Sequence, residues 1–140
     1  MKIVRAVLGC VVGVGVAFVL LVFADDAGQK LYPPADVDWS DAATVKRYTD
    51  SLPLDAMLLM LAGWAGSTII GAAIGSVIAR SRAILISVIV GGLMLAAAIA
   101  NFLITPYPWW LMMATITGIV VAAWLAAKLL WKPLAPTSSA

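Results

Sequence analysis

Few residues in this chain could do chemistry, and they are scattered. Asp36 and Asp38 pair two carboxylates, with Asp41 close behind, and clustered oxygens of this kind can hold a divalent cation. A calcium site needs roughly six to eight oxygens in a shaped loop. The glycine and closing glutamate of an EF-hand loop are missing here, so a solvated loop is the expectation. Asn101 is the only amide in the apolar segments, and with Thr105, Thr115 and Thr117 it makes a candidate polar site, the Ser67/Thr68 pair lying in another span. The alternative for Asn101 is a hydrogen bond to a neighbouring helix. The single cysteine, Cys10, sits in an apolar run with no base to activate it.

The chain contains no histidine and no glutamate. That removes most metal sites, most general-base chemistry and every Ser-His-Asp or Cys-His arrangement. We therefore expect no catalytic, cofactor-binding or metal-binding residues, no cofactor, and no enzyme activity.

The scarcity of polar residues defines the elements that must carry these groups. Of 140 residues, 64% are hydrophobic and 11% charged, with mean hydropathy +1.05. Soluble domains run near 45–50% apolar and about 25% charged, so too few charges are present to cover a core in water. The alternative solvent is lipid. Crossing about 30 Å of hydrocarbon takes about 20 apolar residues, and four stretches qualify: residues 3–24, 53–79, 83–104 and 109–131. Each boundary carries charge or proline, namely Asp25-Asp26, Arg80, Thr105-Pro106 and Lys132-Pro133. The expected architecture is an all-α membrane protein, a single domain over residues 1–140 built as a four-transmembrane-helix bundle.

Charge sets the expected orientation. Lys2, Arg5, Arg80, Arg82, Lys128 and Lys132 fall on one side, whereas the 25–52 loop holds Asp25, Asp26, Asp36, Asp38, Asp41 and Asp50 against Lys30, Lys46 and Arg47. Basic residues in short loops mark the cytoplasm. Both termini, including the 132–140 tail, are expected inside, as in a multi-pass protein of the cell's inner membrane. Trp39, Trp109 and Trp110 then lie at the outer interface and Trp131 at the inner one. Arg5 and Asp55 sit about one turn inside helix ends, where side chains snorkel to water. Asp55 also suits the positive end of its helix dipole. Trp64, deeper in its span, reads as a packing residue.

The first span has a rival reading as a signal peptide, with Lys2 and Arg5 as its basic region and Val22-Phe23-Ala24 as a cleavage site. Its apolar run exceeds the roughly 7–15 residues of a signal core, and an uncleaved span is the expectation. Within the first loop, Leu31-Tyr32-Pro33-Pro34 is expected to be extended. Ser40 is the expected N-cap of a short external amphipathic helix over residues 41–49, and Pro53 fits the first turn of the second span.

Small residues recur at every fourth position: Gly9, Gly13 and Ala17; Gly63, Ser67, Gly71, Gly75 and Ala79; Gly92, Ala96 and Ala100; Ala114, Gly118, Ala122 and Ala126. Positions four apart share a helix face. Lipid is as apolar as leucine, so helices associate in a bilayer by close backbone approach, which small residues permit. These ridges are expected to pack the bundle, with one of them facing outward as the alternative.

The chain resembles a group of small bacterial inner-membrane proteins through Leu31-Tyr32-Pro33-Pro34, Leu52-Pro53, and Asn101 followed by Pro106-Tyr107-Pro108-Trp109. The group often has histidine where this chain has Tyr107. It has no established activity, so the resemblance implies no site residue. Small multidrug transporters need a carboxylate in the first span, and disulfide-forming membrane enzymes need paired cysteines. Neither requirement is met. The expected function is structural or interactive, as an accessory or scaffold subunit whose partners are the lipid bilayer and either a larger membrane complex or copies of itself. A small-solute transporter or channel is the alternative. Without a basic patch, nucleic acid is not an expected partner.

Overall fold

A computed structural model describes residues 1–34, 36–80 and 82–130. They form five helices, α1 (Lys2–Leu31), α2 (Ala42–Ser51), α3 (Leu54–Ala79), α4 (Ala83–Ile104) and α5 (Trp109–Leu130), and no strands. All but α2 are long and apolar enough to cross a membrane, as a multi-pass membrane protein requires. At about 1.5 Å per residue their lengths are roughly 33 to 45 Å. The expected tail, 132–140, and Trp131 lie outside the described residues.

Three element ends differ from the sequence reading. The α1 helix does not stop at Ala24 but continues past Asp25 and Asp26 to Leu31, because carboxylates end a hydrophobic span without breaking a helix. Lys30 pairs with Asp26 one turn back at 2.7 Å, which supports the extension. The cap of α2 is Asp41 rather than Ser40, its carboxylate accepting from the Ala43 N–H at 3.1 Å. The Thr44 hydroxyl donates to the same carboxylate at 2.7 Å, while the Ser40 hydroxyl and N–H both turn back to Asp38. Pro53 is the residue before α3 rather than within its first turn.

The long helices alternate in direction, and α3 and α4 each touch all the other long helices. Among the described residues α1 and α5 do not meet. The closest approach joins α1 to α3. A Cβ built on Gly9 would stand 2.5 Å from the Gly75 carbonyl oxygen, and one on Gly71 2.5 Å from that of Gly13 and 2.6 Å from the Ala17 Cβ. No real Cβ fits there, so these glycines let the two backbones touch. Ser67 and Ala79 continue this buried face of α3. Gly63 closes it less tightly, with its built Cβ 3.0 Å from that of Ala24.

The ridge expected on α4 lies elsewhere. Gly92, Ala96 and Ala100 are exposed, and a Cβ at Gly92 would meet nothing within 4 Å. The buried row is Ile86, Val90, Met94 and Ala98, which has the same four-residue spacing. Larger side chains on α4 fill the space that the α1–α3 contact leaves at its flank: Val90 reaches Gly13 and Ile86 reaches Gly75. The adjacent Gly91 makes the close approach to α5, its built Cβ 2.6 Å from that of Ala123. On α5, Ala122 and Ala126 are buried, and half-buried Gly118 faces Leu61 and Ala65 of α3. The small-residue row of α4 thus faces outward, while the larger row and the single Gly91 face inward.

Replacing Gly71 by alanine should destabilise the bundle by about 1–3 kcal/mol through overpacking against backbone. Gly92→Ala should be neutral or stabilise by up to about 1 kcal/mol through helix propensity. Reversible unfolding in mixed detergent micelles measures both. Equal stability of the two variants would show that α1 and α3 do not approach through Gly71.

Candidate functional site

Toward the α2 end the α1–α3 contact opens. A Cβ built on Gly28 would lie 4.0 Å from its nearest neighbour, Leu59 Cδ2, against 2.5 Å at Gly9. The widening gap is a cleft of about 390 Å³, within the roughly 300–1,000 Å³ usual for ligand sites. One wall is the C-terminal part of α1, where Leu21, Asp25 and Gly28 recur at three- and four-residue spacing on one helix face and Tyr32 follows as the cap residue. The Gln29 amide lies beside Asp25, its Nε2 3.5 Å from Oδ2. Leu59, Met60 and Gly63 of α3 form the opposite wall, and buried Trp64 lies deepest along α3. Asn101, Thr105 and Tyr107 close the α4 side.

The roof is α2, which rests on connecting segments rather than on another helix. Its apolar Val45 and its Thr49 face inward and are buried. The Thr49 hydroxyl donates across the fold to the Pro106 carbonyl at 2.6 Å, and its own-helix alternative, Lys46, is at 3.0 Å. The Tyr48 hydroxyl reaches the Tyr32 carbonyl at 3.4 Å. Trp39 stands edge-on to Tyr48 with centroids 5.9 Å apart, and Phe102 stands likewise to Tyr107. Aromatic pairs prefer this arrangement, worth about 0.5–1.5 kcal/mol each beyond area burial.

Asp25 is the only charged residue lining the cleft among the described residues. Its field reaches the roof and the far wall. Burial, and then the Asp25 charge, push the Tyr48 phenol above its usual value. Tyr107 is raised by burial, by Asp25 and by Tyr48, against an opposing hydrogen bond with Asn101. Lys30 does not line the cleft and is held by Asp26 on the neighbouring face of α1.

The candidate polar residues do not all converge here. Asn101 and Thr105 line the cleft. Thr115 is fully buried away from it with no hydrogen-bond partner, and Thr117 is exposed on the outside of α5. Ser67 is buried, and Thr68 donates to its own helix at Trp64 O, 2.7 Å away. Asp38 and Asp41 are engaged in the turn and cap before α2, and the Ser40 donors hold the Asp38 carboxyl below its usual value. Asp55 is exposed at the first turn of α3, and Cys10 is half-buried against the core. Comparison with known proteins finds no matching family model, curated protein or solved structure. The chemistry of the cleft therefore rests on its own geometry.

The sequence reading missed Asp25, Gln29, Tyr32, Tyr48 and Tyr107 as members of one site. A signal for α1 was present in the helical spacing of Leu21, Asp25, Gly28 and Tyr32 across the supposed boundary. Nothing local connects them to Tyr48 or Tyr107.

Two measurements test this arrangement. Ultraviolet titration should find Tyr48 and Tyr107 ionising above about pH 10, with Asp25→Asn moving both midpoints down. Both phenols hold their protons longer in the folded chain than in the unfolded one. Their contribution to stability is therefore complete below about pH 10 and is lost as pH rises through the raised folded values. Thr49→Val should lower stability by about 1 kcal/mol and speed hydrogen exchange in α2 ahead of the long helices. Unchanged exchange in α2 would mean that the Pro106 bond does not hold the roof.

Proposed function

We propose that this chain is a non-enzymatic accessory or scaffold subunit of the bacterial inner membrane, with both termini cytoplasmic and the cleft open to the outside. The charge distribution along the bundle supports the orientation. Lys2, Arg5, Arg80, Arg82 and Lys128 share one end, and the acidic residues share the α2 end with the cleft. Basic ends remain in the cytoplasm. Arg80 supports this further, for it ends α3 in the left-handed region at φ 59°. Glycine adopts that conformation without penalty, whereas an arginine there stores on the order of 1 kcal/mol of strain. A basic residue thus stands at a turn where conformation alone would favour glycine.

The observation that carries the interaction reading is that the cleft ends at Trp64. Beyond it lie Ala72, Ala79, Ile86, Val90, Met94 and Ile119 in one buried apolar cluster. The backbone contact of α1 with α3 closes the same level. Among the described residues the buried polar side chains at and beyond this level are hydroxyls alone, Ser67, Thr68, Ser76, Ser87 and Thr115, with no charged group among them. A bundle packed backbone to backbone suits a subunit that holds or joins other components. The uncovered row Gly92, Ala96 and Ala100 offers the kind of surface on which a neighbouring span packs closely. Transport is the second reading, favoured by the depth of the cleft. Trp64 lies about 15 Å along α3 from its start, near the middle of a membrane.

Purification in mild detergent, with mass analysis of the intact assembly, should recover a stoichiometric protein partner. A bare homo-oligomer showing solute flux that Asn101→Leu abolishes, with the fold intact, would replace this reading with transport.

A further inference from the structure

The cleft combines features that select one ligand chemistry. Five aromatic side chains line it, Tyr32, Trp39, Tyr48, Trp64 and Tyr107, together with aliphatic groups from α1 and α3. One carboxylate, Asp25, lines it, and among the described residues no lysine or arginine does. Lys30, the nearest cation along α1, is taken by Asp26 at 2.7 Å. A neutral apolar ligand would leave the Asp25 charge without a counter-charge, the Gln29 amide at 3.5 Å being its one neighbouring donor among the described residues. An anion would meet charge repulsion and no cationic donor. A small inorganic cation would be better served by several oxygens than by one carboxylate among rings. What remains is a monocation whose charge is spread over apolar substituents, because aromatic faces attract such a cation while matching its hydrocarbon surface.

We propose that the cleft binds an organic ammonium group, with Asp25 as its counter-charge and the rings of Tyr32, Tyr48 and Tyr107 as its walls. Trp39, edge-on to Tyr48 at 5.9 Å, holds the Tyr48 ring in the roof. The Thr49–Pro106 bond holds α2 above the cleft. The negative field that Asp25 casts over Tyr48 and Tyr107 is the same field that draws in the cation. The ammonium group has two sources, a free amphipathic amine or the headgroup of an ammonium-bearing phospholipid. This inference is independent of the accessory-subunit reading. Failure to recover a partner leaves the cleft chemistry untouched, and failure to bind ammonium leaves the partner reading untouched.

The test uses the full chain in nanodiscs of phosphatidylglycerol, which carries no ammonium group. Choline chloride is titrated by calorimetry against potassium chloride at equal ionic strength, with 3,3-dimethylbutanol as the neutral isostere of choline. Saturable choline binding is expected, at least tenfold tighter than that of the isostere. Asp25→Asn should weaken it at least tenfold, and Tyr107→Leu should also weaken it. Asp26→Asn, which removes a carboxylate outside the cleft, should leave affinity within about twofold, as should Tyr48→Phe, which keeps the ring. Circular dichroism and gel filtration check that each variant is folded. Repeating the titration in nanodiscs containing phosphatidylcholine separates the sources: competition identifies the lipid headgroup, and unchanged affinity identifies a free amine. Absence of saturable choline binding, equal binding of the neutral isostere, or wild-type affinity in a folded Asp25→Asn variant would overturn the proposal.

Discussion

The backbone contact of α1 with α3 through Gly9, Gly13, Gly71 and Gly75 is the constraint on which the rest of the structure depends. In lipid, burying leucine against leucine yields little, because the hydrocarbon tails offer the same surroundings. Dispersion between atoms at contact distance is what remains, and it falls away quickly with a small gap. Glycine on both helices brings main chain to main chain, where no Cβ would fit. Once α1 and α3 are fixed, α4 fills the flank with Ile86 and Val90, and α5 closes on Gly91.

The cleft follows from where that contact stops. From Gly63 toward Leu59 and Met60, side chains replace bare backbone, and the two helices stand apart. Continuation of α1 to Leu31 then matters, since it turns Asp25 and Gln29 from loop residues into a wall. A helix that ended at the span boundary would leave that side of the recess open. The roof is held by few bonds, chiefly Thr49 to Pro106 and Tyr48 to Tyr32, across segments rich in proline. Such a roof depends on particular side chains, whereas the bundle beneath depends on packing along whole helices.

Charge divides the molecule into a basic and an acidic end. The basic end carries charge on short connections, including a left-handed Arg80 that conformational preference alone would not select. The acidic end places one carboxylate, Asp25, where it acts on aromatic groups from two other segments, Tyr48 of α2 and Tyr107 after α4. The remaining acids do local work. Asp26 holds Lys30, Asp38 holds Ser40, and Asp41 caps α2. The carboxylates suggested by adjacency, Asp36 and Asp38, are thus not those that shape a site.

Composition and hydropathy alone determine the helical class, the four long spans and the ends of α4, because twenty apolar residues have few ways to satisfy their backbone groups in lipid. They also determine which residues are small enough for contact. Only the tertiary structure decides which small residues make that contact. Gly92 and Ala96 have the right spacing and face outward, whereas Gly91, one position away, meets Ala123. Helix periodicity is the same for both rows, and the choice between them depends on how side chains from α1, α3 and α5 fill the shared interior. The same holds for the site. Asp25, Tyr48 and Tyr107 come together because α2 folds back over the bundle, an encounter between segments far apart in the chain that no local pattern encodes.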